Sequence, residues 1–99
     1  MRITNEQSKF IVDSVHHYID DKAKIWLFGS RCDDLKKGGD IDIYIESETI
    51  DSPLLKRINL KIALEKLFEE QKIDVVYHDK NLPYKPIHKI AKTEGIILN

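Results

Sequence analysis

The chain has 99 residues, a length that suits a single domain over residues 1–99 and is too short for a catalytic core plus a template-binding module. Its 16 basic and 17 acidic residues are dispersed and leave a net charge of −1, which argues against nucleic acid as the main partner. The single cysteine, Cys32, excludes a disulfide framework and a zinc cluster. There is no signal-peptide pattern and no apolar run long enough to span a bilayer, so we expect a cytoplasmic protein without a membrane partner.

Two elements are predicted before residue 30. Thr4-Asn5-Glu6-Gln7 is a capping-box pattern that begins a helix, and the polar run at 20–22 ends it. Apolar residues at i, i+4 and i+7 mark its buried side: Ile11, Val15 and Tyr18. Residues 25–28 form a continuous apolar run that ends in Gly29, which is typical of a strand buried on both faces.

A short helix and a second strand are predicted next. Ser30 is a suitable helix N-cap and Gly38 a suitable C-terminal stop. From residue 40 to 46 polar and apolar residues alternate, so the isoleucines at 41, 43 and 45 share one face of a strand. The opposite face carries the remaining members of this run: Asp40, Asp42, Tyr44 and Glu46.

A long helix is predicted from Pro53 to about Glu70, and its apolar residues form two stripes. One stripe suits packing against a sheet: Leu60, Ala63, Leu64 and Leu67. The other lies on a different arc: Leu54, Leu55, Ile58 and Ile62. This second stripe must meet either the first helix or a partner protein.

The remaining residues predict a strand, a short helix and a last strand. Residues 73–77 form an apolar strand that Asp74 interrupts. Pro86 opens a helix that stops at Gly95, and residues 96–98 are a plausible last strand.

The segment around residue 30 combines two kinds of binding site. Gly29 has no side chain where backbone would approach a ligand, and a helix beginning at Ser30 offers unpaired N–H groups to phosphate oxygens. Arg31 beside them is either a phosphate clamp or an ion-pair partner of a nearby acidic residue. Asp40 and Asp42 lie roughly 6–7 Å apart along one strand face, close enough to ligate one hard cation or two. This combination predicts a nucleotide-handling active site.

Other side chains near the site have less specific predictions. Glu46 is expected to be solvent-exposed at a strand end rather than a further metal ligand. Tyr44 either borders the nucleotide or packs beside the site. The histidines show no ligand spacing and are expected at surface or edge positions: His16, His17, His78 and His88.

The pair Gly29-Ser30, followed by Asp40-x-Asp42 on the next strand, resembles the signature of the DNA polymerase β nucleotidyltransferase superfamily. In its small size the chain resembles the minimal nucleotidyltransferases, or MNT proteins, which are commonly antitoxins encoded beside a HEPN-domain toxin. Nine residues separate Ser30 from Asp40, one fewer than is usual in that group. The resemblance covers nearly the whole chain and implies an α/β (α+β) fold, a small mixed sheet with helices packed on one face.

The resemblance also implies roles for individual residues. Gly29, Ser30 and Arg31 would bind the nucleotide phosphates. The catalytic carboxylates would hold two magnesium ions. These carboxylates are Asp40, Asp42 and Asp74. The implied reaction moves a nucleoside monophosphate, AMP from ATP or the equivalent from another nucleoside triphosphate, to a hydroxyl of a HEPN toxin.

Two alternatives stay open at this point. The first is a non-catalytic antitoxin, a binding module that neutralises its partner by forming a complex. The second, less favoured, is a transferase acting on a small molecule such as an aminoglycoside. The nucleotide, the acceptor and the oligomeric state are not determined by the sequence.

Overall fold

The computed structural model describes residues 3–29, 41–69 and 71–99. The elements in chain order are α1 (Asn5–Tyr18), β1 (Lys24–Phe28), β2 (Ile41–Ser47), α2 (Pro53–Leu67), β3 (Ile73–Asp79), α3 (Pro86–Glu94) and β4 (Ile96–Ile97). These are the predicted elements of the described ranges, whereas the predicted helix between Ser30 and Gly38 lies outside them. None of the described helices has the length and apolar character needed to cross a membrane.

Local sequence signals set the ends of the helices. The Thr4 side chain accepts a hydrogen bond from the Gln7 backbone N–H at 3.0 Å, and the Thr4 N–H donates to Gln7 Oε1 at 2.9 Å, so the predicted capping box is confirmed. α2 ends at Leu67 rather than near residue 70. Phe68, which follows, is buried in the core and is not part of the helix.

The four strands form one mixed sheet in the order β3-β2-β1-β4. β1 is antiparallel to β2 and β4, and β2 is parallel to β3. Ile41, Ile43 and Ile45 of the central strand β2 have no exposed surface, because α1 and α2 cover their face of the sheet. The main core therefore lies between these two helices and the sheet, and the predicted fold class is confirmed.

The third helix lies on the other face of the sheet, so the expectation of helices on one face holds for α1 and α2 only. Ala91 of α3 packs with Phe28 and Tyr44. The cause is the aromatic character of this face, because Trp26 lies beside Tyr44 with ring centroids 5.3 Å apart and both rings gain from being covered. Among the described residues of this face, Asp42 is half-buried and the Asp74 side chain is 40% exposed.

Candidate functional site

Gly29, Asp42 and Asp74 are the predicted site residues that the structure describes, and they meet at one end of the sheet. Phe28 pairs with Asp42 across β1 and β2, and Asp42 pairs with Asp74 across β2 and β3. The other predicted site residues lie outside the described ranges: Ser30, Arg31 and Asp40.

Gly29 lies directly against the Asp42 carboxylate. Its φ of 75° is in the left-handed region that favours glycine. A Cβ at this position would contact Asp42 Oδ2 and would lie 3.2 Å from Asp42 Cγ. Backbone rather than a side chain therefore occupies the space beside this carboxylate, and the predicted approach of this backbone to a ligand stays a prediction.

Asp42 and Asp74 are direct neighbours on parallel strands, which lie about 4.8 Å apart in a sheet. Asp42 is half-buried, and the Asp74 side chain is 40% exposed and lies 3.8 Å from Lys72 Nζ. Two carboxylates this close repel each other when both are ionised, and a divalent cation relieves that repulsion.

The donor atoms at this end of the sheet are carboxylate oxygens, the ligands that Mg²⁺ prefers. Within the described ranges no group of three or more candidate ligands gathers around one point. The further carboxylate of the predicted set is Asp40, which directly precedes Ile41 in the chain and lies outside those ranges. The chemistry of the described pair therefore suits a hard cation.

The prediction that Glu46 is solvent-exposed is wrong, because its side chain is buried. Glu46 is the centre of a polar cluster on the same face of the sheet as Asp42. The members of this cluster are Tyr44, Glu46, His78, Tyr84 and Lys92. Glu46 Oε2 accepts hydrogen bonds from the hydroxyls of Tyr44 at 2.8 Å and Tyr84 at 2.9 Å, and Lys92 Nζ lies 3.2 Å away. The carboxylate is committed to these donors, so it holds α3 on the sheet.

The charges in the polar cluster stabilise one another. Burial alone would raise the pKa of Glu46, but hydrogen bonds from Tyr44, Tyr84 and Lys92 outweigh burial and lower it. Burial would likewise lower the pKa of Lys92, and the hydrogen bond and negative charge of Glu46 raise it instead. Burial and the adjacent Glu46 raise the pKa of Tyr44, so its hydroxyl stays protonated and donates.

His78 and His88 are buried, so the prediction of surface or edge positions is wrong for His88, whereas His78 lies on β3 at the edge of the described sheet. His78 Nε2 donates to the carbonyl oxygen of Leu82 at 3.1 Å, and its Nδ1 lies 3.3 Å from the Tyr44 hydroxyl. The two imidazole rings are 4.0 Å apart. Burial, followed by the charge of His78, lowers the pKa of His88, whose Nδ1 accepts a hydrogen bond from the Lys85 N–H. The period-two alternation of β3 could have placed His78 on the Asp74 face.

Arg57 and Lys61 are site-adjacent residues that the sequence reasoning missed. They line, together with Asp74, a cavity of about 480 Å³ between α2 and β3. Their spacing of four residues could have placed them on one helix face, but nothing in the sequence links that face to Asp74.

Comparisons with known proteins identify the fold. No protein-family model and no curated protein matches the chain. Solved structures do match, and two of them have 21% and 20% sequence identity and TM-scores of 0.70 and 0.73. The first is a complex of a tri-AMPylated Shewanella oneidensis HEPN toxin with an MNT antitoxin, where the match covers 97% of this chain and 72% of that one. The second is a mutant of the toxin-antitoxin pair MntA-HpeT, where it covers 93% and 71%. The chain therefore has the nucleotidyltransferase fold of the MNT antitoxins.

Proposed function

We propose that this protein is a magnesium-dependent nucleotidyltransferase that transfers AMP from ATP to a hydroxyl of a HEPN-domain toxin and thereby acts as its antitoxin. The observation that carries the proposal is the register pairing of Asp42 with Asp74 beside the bare backbone of Gly29. The AMP groups on the toxin of the similar Shewanella oneidensis complex support AMP as the transferred group. The need for ATP is consistent with a cytoplasmic location.

Each site residue has a defined task in this proposal. Asp42 and Asp74, with Asp40, would hold magnesium, which when bound lowers the pKa of the attacking hydroxyl and neutralises phosphate charge. The backbone at Gly29 and Ser30 would bind phosphate oxygens, assisted by Arg31. The absence of a side chain at Gly29 leaves room for the Asp42 carboxylate.

The transfer needs no covalent enzyme intermediate. The acceptor oxygen forms a bond to the α-phosphorus of ATP, the bond from that phosphorus to the bridging oxygen breaks, and pyrophosphate leaves. In this proposal the Asp74 carboxylate, whose side chain is 40% exposed, would accept the hydroxyl proton.

The decisive experiment incubates the protein with its HEPN-domain toxin, ATP and magnesium and follows the toxin by intact-mass spectrometry. We expect the toxin to gain one or more AMP groups with the wild type and none with Asp42→Asn. Asp13→Asn, an exposed change on α1, should behave like the wild type. A toxin that is fully inhibited but never gains mass would contradict the proposal.

A non-catalytic antitoxin is the second candidate, and a specific surface favours it. Leu54, Leu55, Ile58 and Ile62 of α2 are 45–60% exposed among the described residues, so this stripe offers apolar surface to a partner. If binding alone neutralises the toxin, Asp42→Asn should protect cells as well as the wild type does. Ile58→Asp/Ile62→Asp should then abolish protection.

A further inference from the structure

Among the described residues, no strand pairs with β3 on the side away from β2. β3 is the edge strand of the sheet formed by the described residues. The Ile41 N–H donates to the Lys72 carbonyl and the Lys80 N–H to the Ser47 carbonyl, each at 2.9 Å, so the even-numbered positions of β3 direct their backbone groups to β2. The odd-numbered positions, which include Val75 and Tyr77, therefore direct their N–H and carbonyl groups outward.

The first outward N–H of this edge is already occupied. The Ile73 N–H donates to Glu65 Oε2 on α2 at 3.3 Å. Beyond Ile73 the edge runs through Val75 and Tyr77 toward the loop after β3. Such an edge is a template for another extended segment, and many proteins bind peptides in this way.

A groove with positive charge lies directly beside the edge. Its walls are Arg57, Ile58 and Lys61 from α2 and Asp74, Val75 and Val76 from β3. Within the described part of the chain, no carboxylate forms an ion pair with Arg57 or Lys61. Among the described residues the groove therefore offers two cations without an ion-pair partner beside an apolar floor, and Asp74 also lines it.

The charge of α2 argues against a second copy of this chain in the groove. The helix has four basic residues, Lys56, Arg57, Lys61 and Lys66, and one acidic residue, Glu65. Pairing two copies along this edge would bring two basic helices together, and like charges at an interface are unfavourable. An acidic segment has the complementary charge.

We propose, building on the function proposed above, that this groove is the acceptor site and binds an extended, acidic segment of the toxin as an added strand beside β3. The residue opposite Asp74 in an added strand would share its face, with Cβ atoms about 5 Å apart, and would present its hydroxyl there. Its sequence neighbours would point to the other face, toward Arg57 and Lys61 on α2. The modified hydroxyl residue therefore has an acidic residue directly before or after it.

Steady-state kinetics with a HEPN-domain toxin as the AMP acceptor provides the first test. Arg57→Glu/Lys61→Glu should raise the KM for the toxin by about tenfold or more, because it reverses the charge that the acidic segment meets, and should leave the KM for ATP within about twofold. Lys66→Glu/Lys89→Glu makes the same charge change elsewhere and should alter neither value. An unchanged toxin KM, or an equal rise in both KM values, would overturn the proposal.

Amide hydrogen exchange on the same complex separates this inference from the proposed function. Binding should slow exchange at Val75 and Tyr77 and leave Ile97, on the opposite edge strand, unchanged. Protection of these amides without AMP transfer would support the groove as the toxin-binding site and contradict the proposed transferase activity. AMP transfer without protection at these amides would support the transferase activity and contradict the proposed binding groove. If neither protection nor AMP transfer is observed, both proposals are wrong.

Discussion

The Gly29 backbone and the Asp42 carboxylate are in such close contact that a side chain at position 29 would displace the carboxylate. The contact brings together two residues that the sequence could only place on separate elements. The sequence predicts that the Gly29 backbone approaches a ligand, and in the structure its close neighbour is the Asp42 carboxylate. The positive φ adds a second reason for glycine here.

Gly29→Ala should lower the free energy of unfolding by about 1–2 kcal/mol and abolish AMP transfer, because the new Cβ is strained and pushes Asp42 out of place. Urea unfolding and the intact mass of the toxin measure the two effects. In a double-mutant cycle, Asp42→Ala should recover part of the lost stability in the Gly29→Ala background. If the two free-energy changes add without coupling, the contact between these residues does not determine the site.

At the scale of single residues, Glu46 shows where sequence reasoning fails. The strand alternation placed it correctly on the Asp42 face. Its burial depends on Tyr84 and Lys92, which are 38 and 46 positions further along the chain. Local patterns carry no information about such distant donors. The sequence therefore predicts a solvated carboxylate where the structure has an internal one.

At the scale of elements, helices and strands were predictable where their signals are local. The Thr4 capping box, the proline at position 53 and the alternation of β2 lie within the elements that they define. The face on which α3 packs was not predictable, because it depends on Trp26 and Tyr44 meeting Ala91 across the fold. The polar cluster then fixes α3 through Glu46 and Lys92.

Glu46→Gln should lower the free energy of unfolding by about 2 kcal/mol at pH 7, because it weakens hydrogen bonds to a charged group that attach α3 to the sheet. Since folding lowers the pKa of Glu46, its stabilisation is complete above the ordinary glutamate pKa of about 4.3 and is lost as the pH falls through the lower folded value. The stability difference between wild type and Glu46→Gln should therefore shrink in acid.

Urea unfolding at a series of pH values measures this difference. Glu94→Gln, at the exposed end of α3, is the control and should follow the wild type. A Glu46→Gln protein with wild-type stability at pH 7 would show that the cluster does not hold α3 in place.

The two faces of α2 should respond oppositely to truncation. Leu64→Ala should cost about 3 kcal/mol because Leu64 is fully buried, whereas Ile62→Ala should change stability by less than about 0.5 kcal/mol because Ile62 is 50% exposed. Chemical denaturation of the isolated protein measures both. Equal losses would mean that the outward stripe is covered in solution and is not available to a partner.

At the scale of the whole molecule, the candidate site depends on strand order. The resemblance implied that Asp74 joins Asp42, but the sequence gives no register between strands, and only the parallel pairing of β2 with β3 makes the two carboxylates neighbours. The same topology leaves β3 at the edge and brings Arg57 and Lys61 beside it. Sequence motifs could not place these cations near Asp74, because the position of their helix relative to the sheet is a property of the fold.

Magnesium with ATP at about ten times its Kd should raise the melting temperature of the wild type by on the order of 5–10 °C, because the cation relieves carboxylate repulsion and ligand binding favours the folded state. Asp42→Asn and Asp74→Asn should each lose most of this shift, since each removes a charged ligand of the pair. Asp13→Asn controls for a general loss of negative charge and should show the same rise in melting temperature as the wild type. Differential scanning fluorimetry with magnesium and ATP, compared with chelator, gives the measurement. A wild type that melts at the same temperature in both conditions would show that these carboxylates hold no nucleotide-bound metal.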